Sequence, residues 1–165
     1  MRCALSQGID KIEVPDKRNG WTPLRWAVEF GRSEAVPLLL EAGADMHAKG
    51  VKDRKTPLLA AATQGDTDTL EMMFERGASV YAEDLYRALP LQANMEDGSN
   101  EVVGFLLHRG GADVEEQQGD KGYTPLHVAA GHGNVDFMRL FLECGAKIDV
   151  QDERWQRPFA YCSIA

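Results

Sequence analysis

Short apolar stripes separated by polar, glycine-containing stretches recur along this chain of 165 residues. In four of them the apolar residues follow the spacing i, i+3, i+4, which is typical of a short helix with one buried face. The stripes are Val36, Leu39 and Leu40; Leu70, Met73 and Phe74; Val103, Leu106 and Leu107; and Met138, Phe141 and Leu142. Residues suited to cap these helices stand before them, at Ser33, Asp66 or Thr67, Ser99 or Asn100, and Asn134.

A second predicted helix precedes each stripe and begins at a Thr-Pro-Leu sequence. This triplet stands at 22–24, 56–58 and 124–126, and degenerate copies stand at 89–91 and 157–159. The threonine hydroxyl is suited to cap a helix, and proline is favoured at the first helical position. A glycine then follows at position 31, 65, 98 or 133, where a left-handed residue is expected to end the helix.

The two helices form a unit that repeats with a nearly constant period. The prolines of the triplets stand at positions 23, 57, 90, 125 and 158, and a Gly-Ala pair ends each second helix, at 43–44, 77–78, 111–112 and 145–146. Two markers that keep one period over four copies indicate a repeat array. We expect a single domain over residues 1–165, divided into the end of a partial leading repeat (1–17), repeats at 18–51 and 52–84, a degenerate repeat (85–119), a fourth repeat (120–152) and a truncated fifth (153–165). The ends lack polar capping units, so we expect a segment of a longer array or a docked domain.

The strings WTPLRWAVEFGRSEAVPLLLEAGAD and YTPLHVAAGHGNVDFMRLFLECGAK resemble the ankyrin repeat. That family has a unit of about 33 residues, built from a β-turn and two helices, with a T-P-L-H-x-A signature. The resemblance extends over essentially the whole chain, although the third copy is weak and the fifth is partial. It implies an all-α repeat solenoid in which stacked helix pairs are joined by short β-hairpin loops. It also implies that His127 ties its hairpin to its helix through hydrogen bonds.

The resemblance further implies a protein–protein interaction module that uses the hairpin tips and the concave face of the first helices. Aromatic and arginine side chains are favoured at interface hot spots. Carried over position by position, the candidate partner-binding residues are Arg18, Trp21, Trp26, Phe30, Lys52, Lys55, Tyr86, Lys121, Tyr123 and His132. An alternative is that Trp26 and Phe30, and also Trp21 and Tyr123, pack within the repeat stack.

The third repeat departs most from the pattern. Leu89 stands where the capping threonine belongs, and Asn94 and Met95 stand where small residues belong. Loss of the cap costs about 1 kcal/mol, and methionine is expected to strain a tight helix–helix seam. We predict that this unit is the least regular and the first to open, through either specialisation or drift. If it has drifted, replacing Leu89 with Thr and Met95 with Ala should raise the denaturation midpoint.

Charge and composition narrow the choice of function. The chain has 18 Lys and Arg against 26 Asp and Glu, for a formal net charge of −8, which disfavours general binding to nucleic acid or to anionic membranes. Its apolar runs are shorter than the roughly 20 residues that membrane insertion needs. Three scattered cysteines fit a reducing compartment, so we expect a cytoplasmic or nuclear location.

Sequence signatures of enzymatic chemistry are absent. The chain contains no HExxH, P-loop, GxSxG or zinc-type cysteine spacing, and Cys144 is expected to pack rather than react. We therefore expect no enzyme activity, no metal, no cofactor and no small-molecule substrate. The expected partners are one or more proteins. The alternative function is a structural segment of a longer ankyrin array that has no partner of its own.

Overall fold

A computed structural model describes residues 12–95, 99–117, 119, 121–154 and 156–163, except the side chains of 162 and 163. These residues form eight short α-helices and a 3₁₀-helix. The α-helices are α1 (Pro23–Glu29), α2 (Ala35–Glu41), α3 (Pro57–Gln64), α4 (Thr67–Glu75), α5 (Pro90–Ala93), α6 (Asn100–His108), α7 (Pro125–His132) and α8 (Val135–Glu143), and the 3₁₀-helix is Pro158–Ser163. Within these ranges no helix has the length and apolar character needed to cross a membrane.

Three of the first helices, α1, α3 and α7, begin at their predicted threonine caps, and α3 and α7 end at their predicted glycines. The hydroxyls of Thr22, Thr56 and Thr124 each accept a hydrogen bond from the backbone amide three residues later, over 3.2–3.4 Å. Gly65 and Gly133 follow α3 and α7 in the left-handed conformation, with φ of 76° and 68°. Since glycine has no Cβ, it adopts this conformation without steric cost.

Three of the second helices also carry a predicted cap. The side chains of Asp66, Ser99 and Asn134 accept backbone amides at the starts of α4, α6 and α8. The prediction of Ser33 as the cap of α2 is wrong, because Glu34 occupies that position without a side-chain bond. The backbone carbonyl of Arg32 accepts the amides there instead.

Helices of successive units pack in two layers around one continuous apolar core. The first helices α1, α3, α5 and α7 contact one another in series, and the second helices α4, α6 and α8 do the same. In α8 the fully buried residues are Phe137 and Phe141, whereas Leu142 is 39% exposed, contrary to the predicted stripe. The large ring of Phe137 fills the core, so the buried face of α8 is rotated away from Leu142.

The third repeat is irregular in its first helix, as predicted. Helix α5 is four residues long, against seven or eight for α1, α3 and α7, and Leu89 supplies no side-chain cap. The side chain of Met95, which is predicted to strain the seam between the helices, is fully buried within the apolar core. A flexible thioether side chain fills irregular gaps in a core. The predicted stop at Gly98 lies outside the described residues.

Candidate binding surface

Consecutive hairpin loops are joined by backbone hydrogen bonds. The amide of Val51 donates to the carbonyl of Asn19 over 3.0 Å, and the amide of Leu85 donates to the carbonyl of Asp53 over 2.9 Å. The first three loops therefore form one continuous rim of the solenoid. We call this rim the hairpin edge and define it as residues 17–19, 51–55 and 85–87.

Aspartates at the starts of several loops hold the loop backbone in place. The carboxylate of Asp84 accepts the amides of Tyr86 and Ala88 over 2.8 and 2.9 Å, and Asp152 makes the same two bonds in the fifth loop. In the first loop, a hydrogen bond from the backbone amide of Asn19 is the main cause that lowers the pKa of Asp16 to about 2. Charge-assisted bonds of this kind fix the loop conformation while the carboxylates are ionised.

The outer side of the hairpin edge combines apolar and basic side chains. Its large apolar side chains are exposed by 77% at Val51, 51% at Leu85 and 81% at Tyr86. Of the residues predicted to bind a partner, Arg18, Lys52 and Tyr86 lie exposed on this edge, and Lys55 is half-buried at its end. The structure thus brings together four candidates that come from three different repeats.

Arg54 and Arg87 were not among the sequence-predicted site residues. Both are exposed, and both have a left-handed backbone, with φ of 55° and 60°. Gly20 and Gly122 occupy the equivalent positions of the first and fourth loops, with φ of 70° and 63°. A side chain in this region costs about 1 to 2 kcal/mol. The glycines of the other repeats were the one sequence signal that could have marked these positions.

Aromatic residues in α1 and at its two ends form a partly exposed cluster. Trp26 and Phe30 are 39% and 52% exposed, and their rings stack with centroids 4.8 Å apart. The indole nitrogen of Trp26 donates to Asp16 over 3.0 Å, which orients the ring. Trp21 is half-buried, with the guanidinium of Arg25 4.6 Å above its ring. Trp26 and Phe30 are thus available at the surface, whereas Trp21 mainly packs.

The other candidates gather around α7. The ammonium of Lys121 lies 5.6 Å from the ring centre of Tyr123. Tyr123 is half-buried and packs edge-on against Tyr161, which is not among the predicted residues. Together with His127 and the exposed His132, these two tyrosines line an open hollow of about 340 Å³.

His127 has the structural role that the signature implies. The amide of Thr124 donates to Nδ1 of His127, so the proton of the neutral ring lies on Nε2 and is donated to the carbonyl of Gln156 over 3.0 Å. Tyr161 also contacts the ring of His127, and its hydroxyl donates to the carboxylate of Asp152. That hydrogen bond raises the pKa of Tyr161.

The described residues contain no group of three or more His, Cys, Asp or Glu placed to hold a metal ion. Cys144 is half-buried, and both burial and the neighbouring charge of Glu143 raise the pKa of its thiol. A raised pKa lowers the thiolate fraction and therefore the reactivity of this cysteine. Cys3 and the side chain of Cys162 lie outside the described residues.

Comparison with known proteins agrees with this architecture. The family model described as ankyrin repeats (3 copies) matches residues 1–84 and 85–152. The chain is 32% identical over 132 residues to ankyrin repeat protein FPV223 of fowlpox virus, covering 79% of this chain and 89% of the viral protein. It is 31% identical over 152 residues to ankyrin repeat protein nuc-2 of Neurospora crassa, covering 91% of this chain and 14% of that protein.

A third relative is the human transient receptor potential cation channel subfamily A member 1, which is 28% identical over 144 residues. The match covers 86% of this chain and 12% of the channel protein. This chain thus spans a small part of two of these relatives and most of the third. The capped helix pairs, the two-layered stack and the family match all agree, and the chain belongs to the ankyrin-repeat family.

Proposed function

We propose that this chain is a protein-interaction module that binds a partner protein through its hairpin edge and the exposed face of its first helices. Ankyrin repeats generally mediate protein–protein interaction. The observation that carries the proposal for this chain is the pair Leu85 and Tyr86, which are 51% and 81% exposed on a loop whose backbone is held by hydrogen bonds.

Rigid display of these side chains favours binding. The exposed surface of an apolar side chain gains nothing from folding, and its burial against a partner is favourable by about 25 cal/mol per Å². Ordering a flexible loop would offset that gain, but Asp84 and the bond from Leu85 to Asp53 have already fixed this backbone. A rigid tyrosine also supplies a large contact area at a low cost in conformational entropy.

The aromatic pair on α1 supports a second part of the interface. Trp26 and Phe30 stack on each other and border a shallow hollow of about 420 Å³. Tyr123, Lys121 and His132 supply a comparable mixed surface near α7. A partner that contacts the hairpin edge and either of these hollows would bury aromatic anchors with a charged rim.

The proposed function of the module needs neither enzymatic activity nor a cofactor. The ankyrin-repeat family is typically non-enzymatic, and we infer that this chain acts by binding alone, without a cofactor, inside the cell. The alternative is a structural segment of a longer array, which contributes length and curvature and has no partner of its own. The relatives of which the chain spans 12% and 14% are compatible with that alternative.

Affinity capture from a cell lysate can separate the two functions. The wild-type chain is compared with Leu85→Ser/Tyr86→Ala on the hairpin edge and with Leu38→Ser/Val135→Ser on second helices. Leu38 and Val135 are also exposed, at 66% and 56%, so this second variant controls for the loss of surface apolar area. A partner retained by the wild type and the control, but lost from the edge variant, supports the interaction module. Identical capture by all three, with matched circular dichroism, would favour the structural segment.

A further inference from the structure

We propose that the hairpin edge recognises an acidic segment of its partner protein, one that also carries an apolar side chain. This inference rests on the proposed function and adds the chemical class of the partner. The distribution of charge over the molecule, the hydrogen bonds of the loop carboxylates and the backbone conformation of two arginines support it.

Basic residues are concentrated in the hairpin loops of an otherwise acidic chain. The five sequence segments at these positions in the repeats, 16–21, 50–55, 84–88, 118–123 and 152–156, contain eight of the 18 Lys and Arg but only six of the 26 Asp and Glu. Their formal charge is therefore +2, and that of the remaining chain is −10, which together give the net charge of −8. An acidic segment is attracted to the loops and repelled from the rest of the surface.

The loop carboxylates do not cancel the basic character of the outer rim. Asp16, Asp53 and Asp84 accept hydrogen bonds from backbone amides of their own loops, so their carboxylate oxygens are bonded within the loop. Arg87 lies 3.9 Å from Glu83, and both side chains of this pair are exposed. The basic side chains exposed along the first three loops are Lys17, Arg18, Lys52, Arg54 and Arg87.

Two of these cations occupy positions where glycine would be more stable. Arg54 and Arg87 have positive φ, and the first and fourth loops carry Gly20 and Gly122 at this position. A side chain retained in an unfavourable backbone conformation points to a functional requirement. The requirement here is a pair of guanidinium groups beside the apolar side chains. Guanidinium groups suit this role because they bind carboxylates through two parallel hydrogen bonds.

An acidic protein segment fits this edge better than nucleic acid or an anionic membrane. Val51, Leu85 and Tyr86 place large apolar side chains among the cations, and a phosphate backbone offers no apolar complement to Val51 or Leu85. A long polyanion or a charged membrane would also extend over the acidic remainder of the surface, where it is repelled. A short acidic segment contacts the edge alone.

Selection from a library of short random peptides displayed on phage tests the inference with the full chain as bait. We expect enrichment of peptides that are rich in Asp and Glu and carry an aromatic or aliphatic residue. The dissociation constant of the most enriched peptide, measured by fluorescence anisotropy, should rise about tenfold in Arg54→Gly/Arg87→Gly and should increase with salt. This variant keeps its fold, and its thermal midpoint should not fall, because glycine suits both positions. Arg139→Gln/Lys147→Gln removes two exposed cations elsewhere and should leave the affinity unchanged.

The other outcomes separate failure of this inference from failure of the proposed function. Enrichment of neutral or basic peptides that are lost from Leu85→Ser/Tyr86→Ala would overturn the acidic partner and leave the interaction module standing. Peptides that bind no better than background, or that bind all variants equally, would overturn both. Oligothymidine or phosphatidylserine vesicles that bind as tightly as the peptide, with the same loss in the arginine variant, would replace the protein segment with a phosphate ligand.

Discussion

The guanidinium of Arg25 lies 3.5 Å from the carboxylate of Asp53 on the following hairpin loop. Arg25 stands at the histidine position of the T-P-L-H signature, and in the fourth repeat His127 makes the corresponding contact with the carbonyl of Gln156. Both side chains join a first helix to the next loop. The first repeat therefore preserves this connection between units with a different pair of chemical groups.

Removal of this connection should destabilise the protein. Arg25 is only 2% exposed and pairs with Glu29 as well as Asp53, so Arg25→Met leaves two partly buried carboxylates without their cation. We expect the free energy of unfolding to fall by about 2 kcal/mol, as measured by urea denaturation. Arg32→Met, at an exposed position just beyond the same helix, should change it by less than about 0.5 kcal/mol. Equal effects of the two substitutions would contradict this account of Arg25.

Position 50 has room only for glycine, because Asp53 and Trp21, which both contact Arg25, lie close to it. A Cβ at this position would lie 2.3 Å from Oδ1 of Asp53 and 2.9 Å from Cδ1 of Trp21. The carboxylate can shift, but the indole is held beneath Arg25, so Gly50→Ala should cost about 1 to 3 kcal/mol of stability. Gly104→Ala is the control, because a Cβ within α6 meets no described atom within 4 Å. That substitution should stabilise by about 0.5 to 1 kcal/mol.

Glycine should stabilise the second and third hairpin loops. At φ of 55° for Arg54 and 60° for Arg87, alanine keeps the unfavourable contact of Cβ with the backbone, whereas glycine relieves it. We expect Arg54→Gly to be more stable than Arg54→Ala by about 1 kcal/mol, and the same order at Arg87. Both substitutions remove the charge, so the difference between their thermal midpoints reports the backbone alone. A higher midpoint for alanine would show that these residues are unstrained.

Met95 should prove to be a core residue. Its side chain is fully buried, so Met95→Ala opens a cavity and should lower the free energy of unfolding by about 2 to 4 kcal/mol. Met95→Leu keeps the volume and should cost less than about 1.5 kcal/mol. Urea denaturation of the two variants measures the difference. A higher free energy of unfolding for Met95→Ala than for the wild type would support the prediction that this repeat has drifted.

Acid should weaken the first loop through Asp16. Its folded-state pKa of about 2 lies below the ordinary value of 3.8, so its ionised form stabilises the fold at neutral pH. This contribution is complete above about pH 4 and is lost as the pH falls toward about 2. Asp16→Asn should therefore lower stability at pH 7, and its difference from the wild type should narrow over that range. Asp149→Asn removes the same charge at an exposed position and controls for net charge. A difference that stays constant with pH would contradict this role.

The local signals predicted the fold because they are determined by a few neighbouring residues. The hydroxyl of Thr56 caps α3, and Gly65 ends it, through contacts within one turn. The predictions that Ser33 is a helix cap and that Leu142 is buried were wrong, because tertiary packing decides between adjacent residues. The carbonyl of Arg32 accepts the amides at the start of α2 in place of Ser33. Burial of Phe137 rotates α8 so that Leu142 is exposed.

The candidate surface was only partly predictable for a similar reason. Position in the repeat places Lys52 and Tyr86 on an exposed loop. It does not reveal that Trp21 is half-buried, because that depends on the contacts of its ring with Arg25 and Trp26. The identity of a non-glycine residue does not reveal its φ either, so the left-handed backbone of Arg54 was not predicted. Such features follow from contacts between repeats.

The central claim is that the hairpin edge binds a partner protein. Its most direct test is isothermal titration of a captured partner against the wild-type chain and against Leu85→Ser/Tyr86→Ala, with equal thermal midpoints for the two as the condition for comparison. Since exposed aromatic anchors dominate such interfaces, the account predicts a dissociation constant at least about tenfold higher for the variant. The same dissociation constant for both chains would contradict it.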